Sequence, residues 1–418
     1  MSNKKKLTVL DVVSLITGDE SDIDSESSDP EPEEVDCGGS DNEVDAESFN
    51  GNDNDTVECA ASSSASKPSY KWMKKKQNVP YPSCKPMVDS GSSTDIGESL
   101  ESPYYYFNKF VTDEMIELAV TESNIYYFQQ KGQFLNLKDD ELRSVLGMYL
   151  LMGIIQMPSV RDYFAHATNY EPISSVMSRN RFELILRHLH FANNDTMEMR
   201  IKENDKAWKI TPWLELLRSQ CILIEPQENN SVDEMMIPFK GKFSKIRQYI
   251  RGKPHPWGFK IWARTGEDGI LYDFELYKGA TPGQAKSTLG VGADVVLRLS
   301  ATLPHQKNFK IFADNFFSGI PLMMELKAKG IQYTGTVRKG RLPGCALLTD
   351  KELEKAGRGA FDFRVERDSG ICAVKWNDTK CVNLVSTYLG VSPISEARRW
   401  DKKEGRFVEI PRPNIVAE

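Results

Sequence analysis

The sequence predicts a mixed α/β fold in which a helical domain precedes a sheet-bearing core. Three observations carry that expectation. Apolar residues recur at helical spacing between about residues 102 and 222, and past Pro226 the period shortens toward two. The segments that follow read as strand, strand, strand, helix, strand, helix, strand. The 418 residues suffice for two or three domains and at least one sizeable core.

The formal charge of −7 averages two unlike parts. Residues 1–66 hold three lysines and 18 carboxylates, a net −15, and the rest of the chain holds 50 basic and 42 acidic residues, a net +8. Residues 19–66 are nearly free of aromatics and large aliphatics, so their burial cannot offset the entropy of ordering; residues 1–100 are expected to be a disordered acidic tail and basic linker. Ser28 and Ser40 each have Glu three positions on, a context for acid-directed phosphorylation, although a solvating tail is the favoured reading. Lys71, Lys74, Lys75 and Lys76 surround Trp72, a candidate nuclear import signal or phosphate contact. The seven cysteines (37, 59, 84, 221, 345, 372, 381) form no CxxC pair or zinc-like cluster, and no apolar run reaches membrane-spanning length. A reducing intracellular compartment, no zinc site and no membrane role are expected.

Four helical stripes follow. Thr112 and Asp113 start one through Met115, Leu118, Ala119, Ile125 and Tyr126, interrupted by Glu122; Leu142, Val145, Leu146, Tyr149 and Met152 make a second. Phe182, Ile185, Leu186 and Leu189 make a third, and Trp213, Leu216, Leu217 and Cys221 a fourth. The strands are expected in SVDEMMIPF, GFKIWAR, GILYDFELY, FKIFAD and IQYTGTVR, with helices near Thr288–Leu299 and Ile320–Lys329. Three meandering strands extended by crossover units match the ribonuclease-H-like pattern. Phe361 to Gly390 then reads as a short antiparallel meander, after which the chain turns polar.

Two carboxylates sit where a strand core should be apolar: Asp233 within the first strand, and Asp314 at the end of FKIFAD, just before a helix. The carboxyl ends of strands form the usual crevice of an α/β sheet. For Asp314 alone a simple helix N-cap is the favoured reading. Together, carboxylates on neighbouring strands can hold divalent cations, and two metals about 4 Å apart clamp a phosphodiester; that chemistry usually needs a third carboxylate. Around Asp233 the chain is basic, with Lys240, Lys242, Lys245, Arg247, Arg251, Lys253 and Lys260 interleaved with Phe239, Phe243, Tyr249, Trp257 and Phe259. Arg338, Lys339 and Arg341 form a second cluster. Cations beside aromatics make a candidate DNA track, against the plainer reading of a solvated basic face with Trp257 in the core. None of the five histidines has metal-ligand spacing.

At these residues the chain resembles the piggyBac transposase family, particularly its domesticated, transposable-element-derived members. The resemblance runs through RNRFELILRHLHFANN (179–194), SVDEMMIPFKGKFSKIRQYIRGKPHPWGFKIWA (231–263), FADNFFSGIPLMMELKAKGIQYTGTVRKGR (312–341) and the stretch from Arg399 to Glu418. It implies a DDE nuclease core that uses magnesium held by three Asp to cut and paste DNA at TTAA targets. Asp233 in VDE and Asp314 in ADN would be the first two. It also implies a helical dimerisation or DNA-binding domain at 101–228, the ribonuclease-H-like core at 229–341, a β-rich insertion domain at 342–405 and a return to the core at 406–418. The family's third Asp and its C-terminal zinc module have no counterpart before Glu418. The expectation is a catalytically incomplete, nuclear protein that binds double-stranded DNA and could form a homodimer. The alternatives are an active transposase of which this is a partial chain, and a protein-interaction module without DNA activity.

Overall fold

The computed structural model describes residues 69–75, 82–84, 101–197, 199, 205–239, 241, 244, 246–279, 289–402 and 404–417. The acidic tail with Ser28 and Ser40, and Lys76, Lys240, Lys242, Phe243 and Lys245, lie outside the described residues. The chain divides into two compact units. One takes in Asn136–Leu189 and Met236–Phe259, the other Pro68–Leu135, His190–Met235 and Lys260–Glu418.

The larger unit opens with an edge strand, β1 (Trp72–Met73). Hydroxyl caps then start its first helices. Ser102 accepts the Tyr105 amide at the head of α1 (Pro103–Phe110), a helix the periodicity did not announce and which buries no residue. Thr112 caps α2 (Asp113–Lys131), which ends on Gly132 at φ 64°. The expected stripe is present but rotated: Ile116 and Val120 are buried, whereas Leu118 and Ile125 are half-buried.

In the smaller unit, α3 (Asp139–Ile154) buries Leu142, Val145, Met148, Tyr149 and Met152, and α4 (Arg179–His188) buries Phe182 and Ile185. Tyr149 and Phe182 meet with ring centroids 5.5 Å apart, and Arg181 makes a two-pronged bond to Glu141 at 2.5 and 2.6 Å. In the larger unit, α5 (Thr211–Ile222) packs against α2 and buries Leu214, a residue outside the predicted stripe, together with Cys221.

The sheet follows the strands anticipated: β2 (Asn229–Pro238), β4 (Trp257–Thr265), β5 (Leu271–Leu276), β6 (Lys310–Ala313) and β7 (Gln332–Thr336), with a two-residue β3 (Gln248–Tyr249) in the smaller unit. In the larger unit the order is β5, β4, β2, β6, β7, with β2, β6 and β7 mutually parallel and β4 antiparallel to β5. This is the ribonuclease-H-like arrangement. The crossover helices α6 (Val291–Leu299) and α7 (Ile320–Ala328) bury Val295, Val296, Leu299, Leu322, Met323 and Leu326 with Val232, Ile311 and Tyr333 of the sheet.

Beyond a short helix, α8 (Asp350–Ala356), the predicted meander forms as β8 (Phe361–Glu366), β9 (Cys372–Asn377) and β10 (Cys381–Ser386). It continues the same sheet, because β10 pairs antiparallel with β7, Leu384 opposite Thr336 and Val385 opposite Gly335. The stretch read as merely polar holds a separate hairpin, β11 (Ser395–Asp401) and β12 (Arg406–Arg412). Ala397 and Ile410 bury its inner face against Trp376, whose indole donates to the Pro411 carbonyl.

Candidate functional site

Register brings the two aspartates together. Parallel pairing sets Val232 opposite Ala313, so the residue that follows on each strand is an aspartate: Asp233, midway along β2, and Asp314, just past the end of β6. Neighbouring strands lie about 4.8 Å apart. Both side chains are exposed, which corrects the expectation that they occupy core positions: along β2 it is Asn230 and Val232 that face inward.

Asp314 is not a helix cap. The cap position of α7 is Gly319, five residues later, and Asp314 instead closes its own turn, its Oδ1 accepting the Phe316 amide at 2.7 Å. The turn is held from every side. The Ser318 hydroxyl donates to the Asp314 carbonyl at 3.0 Å and shares a 2.7 Å hydrogen bond with the Tyr333 hydroxyl. Arg341 spreads one guanidinium nitrogen over the carbonyls of Asn315, Phe316 and Ser318 at 3.3, 2.6 and 3.1 Å. Phe317 is fully buried, and Phe316 stacks on Trp262 at 5.6 Å with the planes 14° apart. Two glycines let backbones approach: a Cβ on Gly335 would stand 2.2 Å from the Ala313 carbonyl, and one on Gly292 would stand 2.6 Å from that of Phe316. Burial pushes the Tyr333 phenol far up, and the Asp314 charge adds to it, so the hydroxyl stays neutral.

Cations surround this turn. Arg338 is exposed and donates from Nε to the Asn315 side chain at 3.0 Å. Lys260 is half-buried, its ammonium 3.7 Å from the Trp262 ring centroid and 5.4 Å from that of Phe316, so its charge is held by aromatic faces next to the Asp314 turn. Of the predicted basic residues, the structure gathers Lys260, Arg338 and Arg341 at the turn that carries Asp314. Arg247, Arg251 and Lys253 belong to the smaller unit. There the aromatics divide: Phe239 and Phe259 are buried and 4.6 Å apart, while Trp257 is 44% exposed, with Arg247 4.0 Å over its ring and Tyr249 beside it. Trp257 is therefore not the core residue of the plainer reading.

Asn315, Ser318, Tyr333 and Gly335 were not singled out from the sequence. A glycine inside a strand, as in QYTGT, is the one local signal of such a close approach. Two of the histidines have structural uses: His188 Nδ1 lies 2.9 Å from the Leu184 carbonyl, and His190 stacks on Tyr126. Among the described residues, no group of three or more His, Cys, Asp or Glu side chains is placed to hold a metal.

A ribonuclease-H-like sheet with carboxylates on two adjacent parallel strands, one within β2 and one just past β6, defines a class, the transposase-type core. The chain matches the family model described as Transposase IS4 over residues 102–418, and it belongs to that family, in its piggyBac branch. It is 33% identical over 322 residues to the human PiggyBac transposable element-derived protein 3, covering 76% of this chain and 53% of that protein. It is 31% identical over 322 residues to the human PiggyBac transposable element-derived protein 2, covering 75% and 53%. The chain thus spans about half the length of these curated relatives. Its fold resembles a piggyBac transposase solved by cryo-electron microscopy as a synaptic complex with hairpin DNA, at a TM-score of 0.59 and 23% identity over 75% of this chain and 65% of that one. No helix among the described residues is long and apolar enough to cross a membrane.

Proposed function

We propose that the chain is a DNA-binding, transposase-derived protein whose carboxylate pair is short of the ligand set for strand cleavage. The observation that carries this reading is the pair of adjacent parallel strands that bear Asp233 and Asp314, with Lys260, Arg338 and Arg341 at the Asp314 turn. Arginines with partners in a rigid turn suit a fixed phosphate path, and the exposed Trp257 and Tyr249 with Arg247 suit contact with bases. The solved relative is a complex with hairpin DNA, which supports DNA as the partner.

Asp233 and Asp314 fit one magnesium ion, which accepts one or two carboxylates and keeps water in its remaining positions. They do not fit the two-ion clamp, since no third carboxylate joins them among the described residues. A bound ion would supply Lewis-acid stabilisation to a phosphate oxygen. The chain's own part is to fix Asp314 through its turn and to offset phosphate charge with Arg338.

The test is duplex binding titrated against salt. The affinity should fall linearly on logarithmic axes, and Arg338→Ala should lower the slope by about one. Magnesium and manganese should give no strand cleavage. Absence of duplex binding at low salt would defeat the proposal, and so would cleavage that Asp314→Ala abolishes, which would favour an active transposase. A homodimer and a nuclear location complete the proposal. Sedimentation tests the first, for which the exposed Tyr104, Tyr105 and Tyr106 of α1 are the candidate surface; the Lys71–Lys76 run is the candidate signal for the second.

A further inference from the structure

The basic run around Trp72 is folded onto the sheet. Trp72 lies opposite Glu366 and Met73 opposite Val365, which makes β1 the edge strand beside β8. The Arg367 amide donates to the Lys71 carbonyl at 2.8 Å, and the Lys71 amide donates to the Glu366 carboxylate at 3.1 Å. The Trp72 indole donates to the Pro343 carbonyl at 3.0 Å and packs against the main core. The Lys74 ammonium lies 3.0 Å from Asp362, a carboxylate with no exposed side-chain surface that Arg364 also contacts. One backbone edge, the central aromatic and one lysine head of this run are therefore already in use.

A receptor for a short lysine-rich signal takes the segment in extended form, with its backbone edge and lysine heads both available. β8 and its flanks use one backbone edge of the segment and the Lys74 head. We propose that Tyr70–Lys75 is a basic signal held in cis, so that an acidic receptor groove of the nuclear-import class and the β8 edge compete for one segment. This rests on the reading of Lys71–Lys76 as an import signal and adds its regulation. The mask is built to open: the strand is two residues long, it lies at an edge, and Lys71, Met73, Lys74 and Lys75 are exposed even when docked. A receptor that binds only the released segment sees its affinity reduced by the fraction released.

The experiment compares receptor binding by the full chain and by a peptide of residues 67–80, using a purified import receptor for basic signals. The expected result is that the peptide binds at least ten-fold more tightly than the chain. Trp72→Ala in the full chain should close that gap, while Trp72→Ala in the peptide changes little. Unaltered thermal unfolding of the sheet would show that the variant chain is intact, and Glu366→Gln, which leaves the signal untouched, should act in the same direction. If the wild-type chain binds as tightly as the peptide, or neither variant raises its affinity, the mask is overturned. A peptide that does not bind at all overturns the import-signal reading itself.

Discussion

At the residue scale the site is an exercise in fixing one carboxylate. Asp314 sits in a turn whose carbonyls are gathered by Arg341, 25 residues from Phe316 in sequence. Hydrogen bonds to a charged group contribute about 1.5–3 kcal/mol each way of counting, so Arg341→Ala should lower stability by about 2 kcal/mol in a urea titration. Arg341→Lys should not restore it, because an ammonium on a flexible stem does not reproduce the planar fork. Unchanged stability in the alanine variant would mean the clamp contributes nothing. Gly335→Ala tests the same turn from below: its methyl would collide with the Ala313 backbone, and overpacking of that kind costs about 1–3 kcal/mol. Circular dichroism melting would register that cost, and an unshifted midpoint would refute it. The sequence marked the two carboxylates only as a pair, because Asp314 alone reads as a helix N-cap and Asp233 lies within a strand. The clamp was not legible, because Arg341 lies in a basic cluster where a phosphate contact and a bond to distant carbonyls look alike.

At the element scale, strands and crossover helices were legible because β6 and β7 are short apolar or β-branched runs and α6 and α7 have apolar residues at helical spacing. What pairs with what was less so. Nothing local tells β10 to join β7, or β1 to leave the linker and join β8, since those ladders depend on an edge some 50 or 290 residues away in sequence. The docking of β1 has a pH signature. Burial alone would raise the Asp362 carboxyl, but its bonds from Lys74, Arg364 and the Leu348 amide leave it below its ordinary 3.8. Glu366 is likewise held below its ordinary 4.5, against burial, by the Ser369 amide and hydroxyl and the amides of Lys71 and Asp368. A depressed carboxyl contributes stability that is complete above its unfolded value and is lost as pH falls through the folded one. Protection of the Arg367 amide from hydrogen exchange should therefore hold from about pH 7 to about pH 5 and fall below about pH 4, ahead of the β9–β10 amides. Asp362→Asn should flatten that fall. Simultaneous loss across the whole sheet would show that β1 does not open on its own.

At the scale of the whole molecule, charge is divided along the chain: −15 over residues 1–66 and +8 over the remainder, with cations clustered in sequence at 240–260 and 338–341. A polyanionic segment joined to a cationic surface is present at high effective concentration and competes with any external polyanion for the same arginines and lysines. Removing residues 1–66 should thus raise affinity for duplex DNA several-fold at low ionic strength. Salt screens exposed charges over about 10 Å at 0.1 M and about 3 Å at 1 M, so the advantage of the shortened chain should shrink steadily as salt is added. Both chains should show a salt slope, because counterion release from DNA is common to the two, but the shortened chain's should be the steeper. Fluorescence anisotropy on one duplex, with both chains across a salt series, distinguishes the outcomes. Equal affinities at low salt would mean that the tail does not reach the basic surface. A difference that persists at high salt would mean that it acts by occupying space, with its carboxylates incidental.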